Sequence, residues 1–286
     1  MNIREVDRLL ATHLAETSEG LKDVAPSALR RGEGTLRNFF ILKVDLVGST
    51  ALLMGRRHET YVRLSHTFLS TVDRITHAYG ADPDQVEYAG DGLMAYFPDR
   101  NDAAASVLEC SYYVHAAVQR ISLLGGTLGG LKLRCRMVVH YAPLVMAKIG
   151  PRANSILSAI GWQIHRVSKL EKDISPGTGR ATEEFRQQLP REFRKYLDAA
   201  YIEEQVLVPP PPVGLFGLGL PAAGLLSNYL PPQQTPENRL AELLYPSLRA
   251  PSTPPPPPLP PPPQYETKRT LVGYDINWAL LRANLP

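Results

Sequence analysis

Cysteine is almost missing from this sequence: Cys110 and Cys135 are the only two in 286 residues. Two thiols can build neither a disulfide framework nor a four-ligand zinc site. No signal-peptide pattern opens the chain, which sets the expectation of a cytoplasmic protein. Charge of one sign is scarce too. With 31 basic and 28 acidic residues the formal net charge is +3, too small an excess to call for a nucleic-acid partner. Long hydrophobic runs are also lacking. The one stretch worth testing against a bilayer, Val213 to Leu230, is broken by four glycines, a proline and an asparagine, so no membrane partner is expected.

Proline, by contrast, is in excess, and the excess is local: of 27 prolines, 19 lie between Pro209 and Pro263. Runs such as Pro209–Pro212, Pro254–Pro258 and Pro260–Pro263 stay extended as polyproline II, because ring sterics forbid helix and the missing amides forbid sheet. The segment reads as a semi-rigid spacer; its functional alternative is a ligand for a proline-recognising protein. It divides the chain into residues 1–37 (a helix and linker), a globular stretch 38–208, the proline-rich 209–263, and a C-terminal 264–286 that turns apolar again and is expected to return to the core.

Ile3, Val6, Leu9, Leu10 and Leu14 recur at helical spacing and predict a short amphipathic helix. Asn38 to Asp45 is almost continuously apolar, aromatic or β-branched, the pattern of a strand buried on both faces. Gly48-Ser49-Thr50 then supplies a turn and N-cap for a helix through Ala51 to Met54. Further helices are expected over His58–Tyr79, Asn101–Ile121, Ile160–Glu171 and Thr182–Leu197. Val86–Ala89 and Leu93–Phe97 flank Gly90-Asp91-Gly92 as a hairpin with the acid exposed at its tip. Leu131–His140 and Leu144–Ile149 read as a second hairpin, and Tyr201–Val208 as a later strand.

Asp45 closes an apolar strand and Asp91 occupies a tight turn. Each has a local explanation in turn chemistry, since Asp-Gly is a favoured hairpin dipeptide. Brought together by adjacent strands, however, the two would form a hard oxygen site suited to Mg²⁺ or Mn²⁺.

Four segments, in order, resemble the class III nucleotidyl cyclases: Val44-Asp45-Leu46-Val47-Gly48-Ser49-Thr50, Gly90-Asp91-Gly92, Arg136-Met137-Val138-Val139-His140, and Gly161 to Lys172. The resemblance covers about Asn38 to Val208. It implies an α+β fold with a ferredoxin-like βαββαβ core, here with an N-terminal helix and a proline-rich C-terminal excursion. It also implies a head-to-tail homodimer with active sites at the interface. The implied reaction, that of a phosphorus–oxygen lyase, takes a nucleoside triphosphate to a 3′,5′-cyclic monophosphate and pyrophosphate. Asp45 and Asp91 would hold two metal ions, one activating the ribose 3′-hydroxyl and the other neutralising the β- and γ-phosphates. The backbone of Leu46, Val47, Gly48 and Ser49 would meet phosphate at a helix N-terminus, and Arg136 would stabilise the pyrophosphate.

The departures bear on the substrate. Four residues before the second metal aspartate, adenine readers of the family carry lysine and guanine readers glutamate; this chain has Glu87, which disfavours ATP. The second base-reading position is Ser158. The family's asparagine and arginine align with His165 and Lys169, a pair that shares a helix face but loses the bidentate fork of arginine. A group of stand-alone bacterial cyclases that makes cyclic UMP or cyclic CMP in anti-phage signalling resembles this pattern better than the purine enzymes do. The expected function is therefore a pyrimidine cyclase. The alternatives are a guanylate cyclase and an inactive cyclase-like module that docks partners through its proline-rich segment.

Overall fold

The computed structural model describes residues 2–49, 54, 57–124, 132–207 and 265–285. The proline-rich segment, the apolar Val213–Leu230 stretch within it, and all but Met54 of the helix expected over Ala51 to Met54 lie outside the described residues. The chain divides into two compact units, Met1–Ile202 with Leu271–Pro286, and Glu203–Thr270. Of the second unit only two strand ends, 203–207 and 265–270, are described.

The first unit is built on a βαββαβ core: β1 (Gly34–Leu46), α2 (His58–Ala78), β2 (Val86–Ala89), β3 (Gly92–Pro98), α3 (Ala103–Leu123) and β4 (Cys135–Ile149). A helix α1 (Ile3–Ala15) precedes it, fixed at its start by a capping box between Asn2 and Glu5. After β4 come β5 (Ile156–Ile160), α4 (Trp162–Lys172), β6 (Gly179–Ala181), α5 (Glu183–Gln188), β7 (Leu197–Leu207), β8 (Tyr265–Ile276) and α6 (Trp278–Arg282). The sheet runs β2-β3-β1-β4-β6-β8-β7, with β5 paired to β4 off this path. The four core strands are antiparallel in the order of a ferredoxin-like sheet, whereas β6 joins β4 in parallel.

β1 is central because both its faces are apolar. Phe40, Leu42, Val44 and Leu46 enter one cluster, under Leu64, Phe68 and Val72 of α2 and Val107, Val114 and Val118 of α3. Phe39 and Ile41 point the other way, into a smaller cluster with Tyr96, Val138 and Val167 that α4 and β5 cover. Period-2 alternation along the strand thus feeds two cores at once.

Three sequence expectations are corrected. The second hairpin does not exist: β4 is one strand of 15 residues through Pro143. Its far edge pairs with β6 only at 137–139 and with β5 only at 145–149, so the proline's missing N–H falls in a gap of the ladder. The helix expected from Ile160 starts after Gly161, because Ile156–Ile160 is spent as β5 against β4. The helix expected over Thr182–Leu197 breaks at Pro190, with Leu189 in extended conformation before it; the remainder is a 3₁₀ turn, Arg191–Tyr196.

Candidate active site

Asp45 is the last but one residue of β1, and register sets it opposite Arg136 of β4. On the other side, β3 begins at Gly92, whose position is set by close approach: a Cβ there would lie 2.6 Å from the Val44 carbonyl oxygen and 3.0 Å from Asp45 Oδ1. Asp91 occupies the turn between β2 and β3, since Ala89 and Gly92 still pair. Gly90 makes that turn with φ of 66°, a conformation that suits glycine. Asp91 is half-buried rather than fully exposed.

The two acids share one electrostatic environment. The Asp45 carboxyl is pushed up to about 6, first by burial, then by the charge of Glu171 and that of Asp91, against the opposing pull of Lys43 and Arg136. A carboxylate held this way gains from a cation. The donor set is all oxygen and contributes two carboxylates, which matches Mg²⁺ or Mn²⁺ held by one or two protein carboxylates and completed by substrate phosphate and water. Among the described residues, no group of three or more His, Cys, Asp or Glu side chains is arranged to hold a metal on its own.

Arg136 is held from below: its Nε donates to the Ile174 carbonyl at 2.7 Å, and Nη1 lies 3.6 Å from Glu171 Oε1. Lys43, two residues before Asp45 on the same face of β1, brings Nζ to 3.6 Å from Glu171 Oε2. The sequence reading passed over both Glu171 and Lys43. The signals were a lysine inside an apolar strand and a glutamate four residues after Val167, on the buried face of α4.

Of the four residues expected to meet phosphate, two are already committed to the sheet. Leu46 is buried in β1, and the Val47 amide already donates to the Arg134 carbonyl at 2.8 Å. Gly48, with φ of 77°, and Ser49 remain as the residues whose amides could meet an anion.

Glu87 and Ser158 come together within one chain. Ser158 Oγ and the Ala159 amide each donate to Glu87 Oε1 at 2.8 Å, and the Tyr96 hydroxyl donates to Oε2 at 3.0 Å. Tyr96, fully buried, is a further residue that the sequence reading missed. Burial and the Glu87 charge raise its pKa, so it stays a donor. His165 and Lys169 are exposed on α4, on the side away from Val167 and Glu171. They do not converge on Asp45 of their own chain. A large cleft lies elsewhere, around Arg37, Phe39, Asp99 and Arg100, roughly 20 Å from Asp45 along β1.

Solved structures share this architecture. The guanylyl cyclase Cya2 matches at a TM-score of 0.53 and 18% identity, over 64% of this chain and 88% of its own. The adenylyl cyclase CyaB from P. aeruginosa matches at 0.52 and 17%, over 59% and 86%. A class III adenylyl cyclase-like ATP-binding protein from Pseudomonas aeruginosa matches at 0.50 and 15%, over 63% and 40%. The fold is therefore that of the class III nucleotidyl cyclase catalytic domains. No protein-family model matches the chain, and no curated protein matches it in sequence. Among the described residues no helix is long and apolar enough to cross a membrane.

Proposed function

We propose that the protein is a nucleotide cyclase acting as a homodimer, converting a nucleoside triphosphate to its 3′,5′-cyclic monophosphate and pyrophosphate. The observation that supports this reading is the position of Asp45 at the end of β1, opposite Arg136 and within reach of the charge of Asp91, on the fold of the class III cyclases. In the reaction the ribose 3′-oxygen forms a bond to the α-phosphorus, and the bond from that phosphorus to the bridging oxygen breaks. Divalent ions at Asp45 and Asp91 would supply charge neutralisation and a lowered 3′-hydroxyl pKa. Arg136 would meet the departing pyrophosphate, with the Gly48 and Ser49 amides beside it.

A single chain leaves His165 and Lys169 facing outward, and Ile156, Ile160 and Trp162 nearby in sequence are largely exposed. Both features support a partner copy, in which His165 and Lys169 of one protomer serve Asp45, Asp91 and Arg136 of the other. Lys169 would place positive charge at the α-phosphate, and His165 one hydrogen bond.

For the base, the departures at Ser158, His165 and Lys169 support a pyrimidine, UTP or CTP, and with it a role like that of the bacterial anti-phage cyclases. The Glu87–Ser158 contact favours GTP as the second reading: with the serine hydroxyl donating to Glu87, the pair presents mainly acceptors, which suit the N–H edge of guanine. Incubation with each of the four nucleoside triphosphates and Mn²⁺ should give a cyclic product, with ATP the poorest substrate. Mixing Asp45→Ala with Lys169→Ala chains should restore about a quarter of wild-type activity, since random pairing makes half the two-fold dimers mixed, each with one intact site. No product from any nucleotide by a confirmed dimer would leave a binding module with a cyclase fold.

A further inference from the structure

Glu171 is the most deeply buried acid near the candidate site, with a side chain 5% exposed and cations at 3.6 Å on both oxygens, Lys43 on one and Arg136 on the other. Oε1 has no hydrogen-bond partner, so its contact is purely ionic. Around this point stand three acids, Asp45, Asp91 and Glu171, and two cations, Lys43 and Arg136. Lys43 and Arg136 are also the two cations that act on Asp45, and Asp45 and Arg136 are register partners. If Glu171 did not occupy them, both cations would be free to pair with Asp45. Two positive charges against two carboxylates would leave no net charge to draw a divalent ion.

We propose that Glu171 is a positioning residue for the Asp45–Asp91 pair: as counter-ion to Lys43 and Arg136 it keeps both cations off Asp45 and so sets the affinity for a divalent cation without ligating it. The proposal rests on the metal reading above. It gives a reason for a buried glutamate on the inner face of α4 and for a lysine in an otherwise apolar strand. It also makes metal affinity depend on the same helix that presents His165 and Lys169.

The test is Mn²⁺ binding to the full chain without nucleotide, read from the electron paramagnetic resonance of the free ion, with folding checked by circular dichroism. Glu171→Gln should weaken binding by about tenfold or more, which corresponds to about 1.4 kcal/mol, and adding Lys43→Gln should recover most of the loss. A glutamate that mattered only for packing, or that bound the ion itself, would give no such recovery, and that result would overturn the proposal, as would unchanged binding in Glu171→Gln. Should Glu171→Gln fail to fold, Lys43→Gln alone decides: it leaves excess negative charge and should tighten binding several-fold, whereas unchanged or weaker binding overturns the proposal. A wild-type chain that takes up no Mn²⁺ would end the metal reading itself, a result distinct from binding that ignores Glu171.

Discussion

The central sheet is covered on both faces, and the two faces are made of different chemistry. Under α2 and α3 the packing is mainly apolar, from Phe40, Leu42 and Val44 of β1 to Leu64, Phe68 and Val72 of α2, and its buried hydroxyls, Thr76 and Ser111, bond to backbone carbonyls of their own helices. Under α4 and β5 the apolar cluster is smaller, and it gives way along β1 to Lys43 and Asp45, along β4 to Arg136 and His140, and along β2 to Glu87. Alternate residues of one strand thus serve two purposes. Burial on the first face holds the sheet together, and on the second it lowers the local dielectric around charges that interact across it. A substitution in either face should therefore fail in its own way.

The largest separation is expected at Asp45. Asp45→Asn should lower turnover by at least about a thousandfold, as loss of a central catalytic group does, while the thermal midpoint stays level or rises, because burial, Glu171 and Asp91 all disfavour the charge it removes. Parallel loss of activity and stability would show that Asp45 is structural. Phe68→Ala should do the reverse. Deleting a side chain 1% exposed between α2 and the sheet should cost about 3–5 kcal/mol in urea unfolding, with kcat of the protein that remains folded little changed. A Phe68→Ala chain of wild-type stability would mean that this face is less tightly packed than the buried areas imply.

This contrast also explains what could be read from sequence. The apolar face is a matter of periodicity: β1, α2 and α3 each carry a local repeat, and Gly90-Asp91 announces its own turn. Asp45 stood out because a strand that apolar should not end in an acid. Short elements such as β5 and β6 were not legible, because five and three residues hold a strand only through the partner they find. Glu171 was hidden for a related reason. A charge on a helix reads as a solvated face, and only the packing of α4 over Lys43 and Arg136 makes it a buried one. Tyr96 looked like core and is core, yet its hydroxyl orients Glu87, a contact that joins neighbouring strands and no sequence pattern contains.

The smallest effect, and the one that sharpens the comparison most, is expected at His140. Its imidazole is buried on the polar face between β4, α4 and the segment leading to α5, with Nδ1 at 2.8 Å from Thr182 Oγ1 and Nε2 at 3.0 Å from the Gln163 amide oxygen. An amide oxygen can only accept, so Nε2 carries the proton and Nδ1 accepts from the Thr182 hydroxyl, which itself accepts from the Phe185 amide at 3.3 Å. Burial lowers the His140 pKa below its ordinary 6.5, outweighing the Gln163 hydrogen bond and the Glu184 carboxylate, and Arg166 adds to the lowering. The folded state thus prefers the neutral ring. Its contribution to stability is full above the unfolded pKa and is lost as pH falls below that value toward the lower folded one. Asp45 acts in the opposite sense over the same range, since its raised pKa makes the folded state take up a proton near 6, so the wild-type curve alone would mislead. The informative quantity is the difference between wild type and His140→Gln in urea midpoints from pH 7.5 to pH 5: the wild type should lose stability relative to the variant on acidification. A constant difference across that range would mean that His140 is not held neutral, and that the polar face tolerates protonation as readily as solvent does.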